Sequence, residues 1–345
     1  MRVLVTGHDG YIGTVLARRF VEAGHDVVGL DTFFYRGCVF GPDASGNVAG
    51  FAADVRETLP SLLHGFDAVV HLAALSNDPL GDLDADLTYQ INLHGSISLA
   101  RAAKDAGVSR FIFASSCSMY GVGANDVPLD EDAPLRPITP YAESKVKAEE
   151  ELARLRDDSF VTVSMRNATA YGVSPRLRLD VVLNNLAAWA HTTGEIRLQS
   201  DGTSWRPIVH VADISEAALT LAETPAGAIS APAYNIGRTT ENFQVRDLAE
   251  MVQALVPGCS VAFAEGASAD PRSYRVNFDR FASDFPDCPL SWTAEAGAAE
   301  LLRAYREYGL TREIFEGRRF IRLGQIRRLR EAGLLDDGLR WSAAV

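Results

Sequence analysis

The chain opens with a strand that runs straight into a glycine-spaced turn. In "RVLVTGHDGYIGTVL", Gly7, Gly10 and Gly13 fall where the apolar run stops and a helical pattern begins. Glycine at such a turn lets the backbone approach a pyrophosphate, and the following helix offers it free N–H groups and positive partial charge. A glycine triplet alone says little; what confirms it is a strand before and a helix after, inside a βαβ unit. Both are present here. The first half then repeats the rhythm. "DVVGLD", "DAVVHLAA", "RFIFASS" and "VTVSMRN" are short, apolar and rich in β-branched residues, as strands covered on both faces are. Amphipathic stretches such as 12–23 and 93–106 lie between them. The expected fold class is therefore α/β, with a doubly wound parallel sheet and right-handed crossovers.

After about Gly172 the alternation loosens into a strand and helix in "RPIVHVADISEAALTLAET", a short strand in "AYNIGR" and a helix in "VRDLAEMVQALVPG". The expected organisation is a Rossmann domain over 1–170, with returning segments at about 206–224 and 232–238. A smaller, sequence-interleaved substrate lobe takes 171–205 and 239–345, ending in a helical tail. That tail holds "GRRFIRLGQIRRLREAGLL", expected to be a solvated amphipathic helix, with an interface or a cap over the substrate as the sharper alternative. A formal net charge of -12 argues against a nucleic-acid or anionic-membrane surface, both of which need clustered positive charge. No apolar run approaches the ~18 residues that span a bilayer, and a buried-strand pattern from Arg2 leaves no room for a secretory leader. The four cysteines are far apart, without a C-x-x-C pair, as in a reduced protein with neither disulfide frame nor metal site. A cytoplasmic location is expected.

Around the glycine turn, Tyr11 and Ile12 are counted with the cofactor residues. Asp31 closes the second strand, where a carboxylate can accept hydrogen bonds from both adenosine ribose hydroxyls and would repel the extra phosphate of NADP. NAD is the expected cofactor, although Arg36 lies nearby in sequence. Asp54 and Val55, after the third strand, are placed to hold the adenine edge. Downstream, "YAESK" sets Tyr141 and Lys145 on one face of a helix, at i and i+4. A free tyrosine titrates near ~10 and is a poor base at neutral pH; an adjacent ammonium favours the phenolate. Lys145 is expected to do this while holding the nicotinamide ribose, and Ser116, at the end of the fifth strand, to hydrogen-bond the reacting hydroxyl. Tyr-x-x-x-Lys is common by chance in helices, and only its place behind a dinucleotide turn gives it meaning. The step these residues support is hydride transfer between a hydroxyl-bearing carbon and the nicotinamide.

The set "TGHDGYIG", "LD", "ADVR", "HLAA", Asn92, "SSCSMYG", "YAESK" and "RPIVHVAD" resembles the extended short-chain dehydrogenase/reductases of the nucleotide-sugar epimerase/dehydratase family. The weaker matches "YNIG" and "DPRSYRV" extend the likeness to about residue 280. This resemblance implies that Asp54 and Val55 meet adenine, that Leu72, Ala73 and Ala74 line the cofactor, and that Asn92 sits near the catalytic residues. Ala168 is counted with the cofactor contacts. It further implies a nucleotide-diphosphate sugar as substrate and a homodimer. Arg206 matches the arginine that meets the phosphates, Asn185 and Thr169 match diphosphate and sugar positions, and Asp270 and Tyr274 match a segment closing over the nucleoside. Where many relatives carry a second phosphate-binding arginine this chain has Ala267, so Arg272 or Arg275 is the candidate replacement. Arg176 and Arg178 lie where relatives contact the sugar, to meet a sugar carboxylate or to form salt bridges.

The segment between Ser116 and Tyr120 separates the reactions of that family. Members that eliminate water or carbon dioxide usually carry Asp or Glu there; this chain has Cys117, Ser118 and Met119. Relatives that epimerise carbons beside the keto group place a cysteine two residues before the tyrosine, where Ser118 stands here. A shift of one residue in an extended segment turns a side chain to the other face, so Cys117 is expected to be a packed residue. What remains is oxidation and reduction at one carbon, a 4-epimerase. A 4-dehydrogenase or 4-ketoreductase that releases its cofactor is the alternative, and a non-catalytic NAD-binding regulator the second.

Overall fold

Seven short runs pair into one all-parallel sheet: β1 (Arg2–Thr6), β2 (Asp26–Asp31), β3 (Ala49–Ala52), β4 (Ala68–His71), β5 (Arg110–Ser116), β6 (Val161–Asn167) and β7 (Ala233–Ile236), in the order β7-β6-β5-β4-β1-β2-β3. The computed structural model describes residues 1–42, 48–57, 60–81, 83–122, 127–268, 272–288 and 290–342. Every residue of β4 and β6 is buried, the consequence of covering a sheet on both faces. Because β1 is flanked by β2 on one side and β4 on the other, the chain order reverses there. A crevice opens over the carboxyl ends of the strands at such a switch point.

The longer helices, in chain order, are α1 (Gly13–Glu22), α2 (Ser96–Asp105), α3 (Pro140–Leu155), α4 (Val182–Thr193), α5 (Val211–Glu223), α6 (Val245–Ala254), α7 (Ala294–Glu307) and α8 (Arg322–Glu331). Leu16 and Phe20 of α1 and Ile214 and Leu221 of α5 cover one sheet face. Leu99 of α2 and Leu152 of α3 cover the other. A third core gathers Leu186, Leu248 and Leu301 of α4, α6 and α7. The strand expected in "RPIVHV" forms as Trp205–His210. It joins a three-stranded side sheet with Thr169–Tyr171 and Asn242–Gln244, while α5 and β7 return to the main sheet.

The arginine-rich tail corrects its expectation of a solvated helix. Phe315 and Phe320 belong to the third core, whereas Ile326, Leu329, Leu335 and Leu339 belong to the core beneath the cofactor strands. Arg318, Arg319, Arg327 and Arg328 remain exposed, but Arg322 and Gln325 are buried. Hydropathy reads a guanidinium as surface, and an arginine buried by partners and a packed stem escapes that reading. Among the described residues no helix is long and apolar enough to cross a membrane.

Candidate active site

One cavity of about 820 Å³ lies over the carboxyl ends of the strands, within the range of small-molecule and cofactor sites. At one end is the glycine turn. Gly7 has φ +73°, and a Cβ there would stand 2.8 Å from the Ala73 backbone nitrogen; one on Gly13 would stand 2.0 Å from the Gly7 carbonyl oxygen. Glycine is required at both places for the helix to start hard against the strand ends. Gly7, Gly10, Tyr11, Ile12, Gly13, Asp31, Asp54, Val55, Leu72, Ala73, Ala74 and Ala168 all line this cavity, as the sequence suggests. Asp31 accepts from the N–H groups of Asp9 (3.0 Å) and Phe33 (2.7 Å), which fixes its carboxylate and leaves each oxygen a further lone pair. Arg36 stacks over the Phe33 ring instead of lining the cavity. The Tyr11 hydroxyl donates to the Gly172 carbonyl (2.8 Å) and accepts from Asn184 (3.0 Å), tying the turn to the second half of the chain.

Asn92 lies behind the cavity wall. It is fully buried and does not line the cavity. Its amide brackets Leu75, accepting from the Leu75 N–H (2.8 Å) and donating to its carbonyl (3.1 Å). It sits in a π-helical stretch, Tyr89–Gly95, that leads into α2. Its side chain thus holds the segment after β4 from behind.

Ser116, Tyr141 and Lys145 all line this cavity, Ser116 and Tyr141 sharing a hydrogen bond. Helix α3 begins with Pro140 in its first turn, and Thr139 accepts from the Ala142 N–H, so Tyr141 is set just inside a capped helix end. Thr139 also donates to Asp78 (2.7 Å). Burial pushes the Tyr141 hydroxyl up to about 12, while a hydrogen bond with Ser116 and the charge of Arg178 pull it back and Asp78 adds to the rise. The Lys145 ammonium donates to the Ala114 carbonyl (2.7 Å), lies 5.9 Å from the Tyr141 ring centre, and is pushed down to about 7 by burial. From the sequence Lys145 is expected to favour the phenolate; burial is the leading influence on the phenol, and the hydrogen bond with Ser116 is the first to lower it.

In the "SSCSMYG" segment, Ser118 lines the cavity beside Ser116, and its hydroxyl has no hydrogen-bond partner among the described residues. Cys117 turns the other way, into the core, with its thiol on the Arg166 carbonyl (3.0 Å).

Beyond Tyr141 the cavity is lined by Thr169, Asn185, Arg206, Arg272 and Tyr274. Asn185 donates to the Leu179 carbonyl (2.9 Å), Arg206 to those of Trp205 and Arg272, and Arg272 pairs with Asp78 (2.8 Å). Arg275 stacks over Trp205 (4.9 Å) and does not line the cavity, so Arg272 alone keeps the position of candidate replacement. Asp270 lies outside the described residues. Arg178 lines the wall in a two-pronged pair with Asp180 (2.9 and 3.2 Å), and Arg176 is buried on Asp9 (2.6 Å).

Residues 3–237 match the family described as "NAD dependent epimerase/dehydratase family". The chain belongs to this family. Among curated relatives it is 27% identical over 341 residues to a UDP-glucose 4-epimerase of Bacillus subtilis (strain 168), covering 87% of this chain and 94% of that one. Among solved structures it resembles TunA, an NAD-dependent NDP-hexosamine 5,6-dehydratase (TM-score 0.78, 25% identity, 89% of this chain and 98% of that one). It also resembles MoeE5 in complex with UDP-glucuronic acid and NAD (TM-score 0.76, 26% identity, 89% and 99%).

For a member of this NAD-dependent family the cavity fits the cofactor. The glycine turn has no room for side chains, Asp31 has acceptor capacity to spare, and Tyr141 and Lys145 line the same space. Asp54 is more engaged than the resemblance suggests, held by its own neighbour Arg56 through both oxygens and kept below the usual carboxylate range against the opposing effect of burial. The sequence reading missed Tyr35, Asn77, Asp78, Asp180 and Arg322, all in the cavity wall. "LSND" directly after "HLAA" was an available signal for Asn77 and Asp78, since ligands bind beyond the carboxyl ends of such strands.

Proposed function

We propose that the protein is an NAD-dependent nucleotide-sugar 4-epimerase, with Ser116, Tyr141 and Lys145 as its catalytic residues. NAD held by the glycine turn and Asp31 would supply the hydride acceptor and donor. Tyr141 takes the proton of the C4 hydroxyl as that hydride leaves, giving a 4-keto sugar. Ser116 orients the hydroxyl and the tyrosine together. Lys145 compensates the phenolate charge. After the keto sugar presents its other face, Tyr141 gives the proton back and the C4 configuration is inverted.

The observation that carries this reading is the composition of the wall from Ser116 to Tyr120. It offers two hydroxyls to the cavity, no carboxylate, and a cysteine turned into the core. The carboxylates beyond Tyr141 are engaged, Asp78 with Thr139 and Arg272, and Asp180 with Arg178. An elimination needs a further acid or base acting on the neighbouring carbon. Relatives that are epimerases, and a structural relative carrying UDP-glucuronic acid, support the substrate class.

Incubating the purified protein with UDP-, dTDP- and GDP-sugars, without added cofactor, tests the reading by proton NMR at C4. Conversion of one sugar to its 4-epimer is expected. Loss of water from the product, or turnover that begins only when NAD(P)(H) is supplied in stoichiometric amounts, overturns it in favour of a dehydratase or a one-way dehydrogenase or reductase.

A further inference from the structure

Arg322, in the first turn of α8, is 2% exposed, yet it lines the cavity. Its Nη2 donates to the Arg176 carbonyl (2.7 Å), its guanidinium stacks 4.2 Å over the Tyr35 ring, and its Nη1 has no hydrogen-bond partner among the described residues. Asp180, the carboxylate beside it, is already taken. It accepts from Nε and Nη2 of Arg178, from Asn77 Nδ2 (2.9 Å) and from the Arg322 backbone N–H (3.3 Å). Two buried guanidiniums thus share one carboxylate, and a charge withdrawn from water without full pairing is costly unless an anion joins it.

The position of Arg322 indicates which anion. Tyr35 belongs to the loop after β2, the strand that ends in Asp31. Arg176, which receives the Arg322 hydrogen bond, reaches Asp9 Oδ1 in the glycine turn (2.6 Å). Arg178 and Arg322 both act electrostatically on Tyr11 of that turn, whereas among the charges acting on Tyr141 only Arg178 belongs to this pair. Neighbouring tail residues hold the same loop: Gln325 donates to the Phe34 carbonyl (3.0 Å) and Trp341 to the Thr32 carbonyl (2.6 Å).

We propose that Arg322, supported by Arg178, binds the pyrophosphate of NAD from the side opposite the glycine turn, making the C-terminal segment a strap over the cofactor. A planar guanidinium presents paired donors suited to phosphate oxygens. The inference rests on NAD binding alone and stands whichever sugar the enzyme acts on.

The test compares wild type with Arg322→Gln and Arg322→Lys by calorimetry, using NAD, ADP-ribose, adenosine and a UDP-hexuronate as ligands. Arg322→Gln is expected to weaken NAD and ADP-ribose by about 10- to 100-fold, to leave adenosine unchanged, and to yield protein that purifies with less NAD. Arg322→Lys restores part of the loss. Equal weakening of adenosine would indicate a merely structural residue and overturn the proposal. So would a loss confined to the UDP-hexuronate, which would make this a sugar-carboxylate site. Should the variants fail to fold, a crystal structure of the wild type with NAD decides: Arg322 Nη1 within ~3 Å of a pyrophosphate oxygen supports the proposal, and an Arg322 that touches only protein or sugar refutes it.

Discussion

Tyr141 and Lys145 are each pushed toward neutrality by the cavity, the phenol from 10.0 up to about 12 and the ammonium from 10.5 down to about 7. Both shifts have desolvation as their leading cause, and in both cases the charged form is the one disfavoured. Passing the tyrosine proton out while the lysine keeps its own creates an adjacent pair of opposite charges, which recovers part of what each loses alone. Of the two groups, Lys145 is the one that burial brings near neutrality, so a proton leaves this site at about 7. The rate of turnover is therefore expected to rise with pH through a limb near 7. In Lys145→Met the limb moves upward, toward the value of the isolated phenol, and kcat at pH 7 falls by about 10²- to 10⁴-fold. A pH profile unaltered in position would show that Lys145 does not act through Tyr141. Tyr141→Phe removes the base itself, with a loss of similar size at every pH, while bound NAD, read from absorbance of the denatured supernatant, stays at the wild-type level. Near-normal turnover in that variant excludes Tyr141 as the proton carrier.

At the level of elements, the start of α3 is what gives the tyrosine its direction. Thr139 does two things there: its oxygen takes the Ala142 N–H, and its hydroxyl proton goes to Asp78, which is itself fixed by Arg272. Thr139→Ala is expected to cost about 1 kcal/mol in urea unfolding, the usual worth of such a cap, and to reduce kcat more than it raises KM. Thr139→Ser keeps both bonds and should restore both quantities; a serine variant as impaired as the alanine one would locate the effect in the lost methyl group. What the sequence revealed of this site follows the same division between near and far. Gly7, Gly10 and Gly13, Asp31 at a strand end, and Tyr141 with Lys145 are legible because each rests on a spacing within one or two elements. Asp78 and Arg272, 194 positions apart, and Arg176 and Arg322, 146 apart, meet only through the fold. No local period announces such contacts. Asn92 was marked only by the family resemblance, and its role behind Leu75 depends on the π-helical stretch, which its spacing does not disclose. The strand in "RPIVHV" was legible as a strand, but its sheet was not, because hydropathy specifies burial and leaves the choice of sheet to the chain around it.

Among the described residues three cores surround the cavity, and several segments of the chain run from one core to another. The tail is one, with Phe320 anchored in the lobe core and Ile326 in the core under the sheet, and Arg322 between them. Tyr11 is a second crossing, made by side chain, from the glycine turn to Gly172 and Asn184. A dinucleotide seated between these crossings touches both halves, so its binding energy adds to the stability of the entire chain by linkage: about 2.7 kcal/mol at a concentration a hundred times Kd. Removing NAD is accordingly expected to lower the melting temperature, and restoring it to raise the temperature again in a concentration-dependent way. Hydrogen exchange separates this from a local effect. NAD is expected to slow exchange in three stretches, the glycine turn and β2, residues 172–186, and residues 320–342, because all three close on the same space. Protection confined to the glycine turn and β2 would mean that the cofactor is held by the first half alone, and the tail would then be a structural buttress that the dinucleotide does not feel.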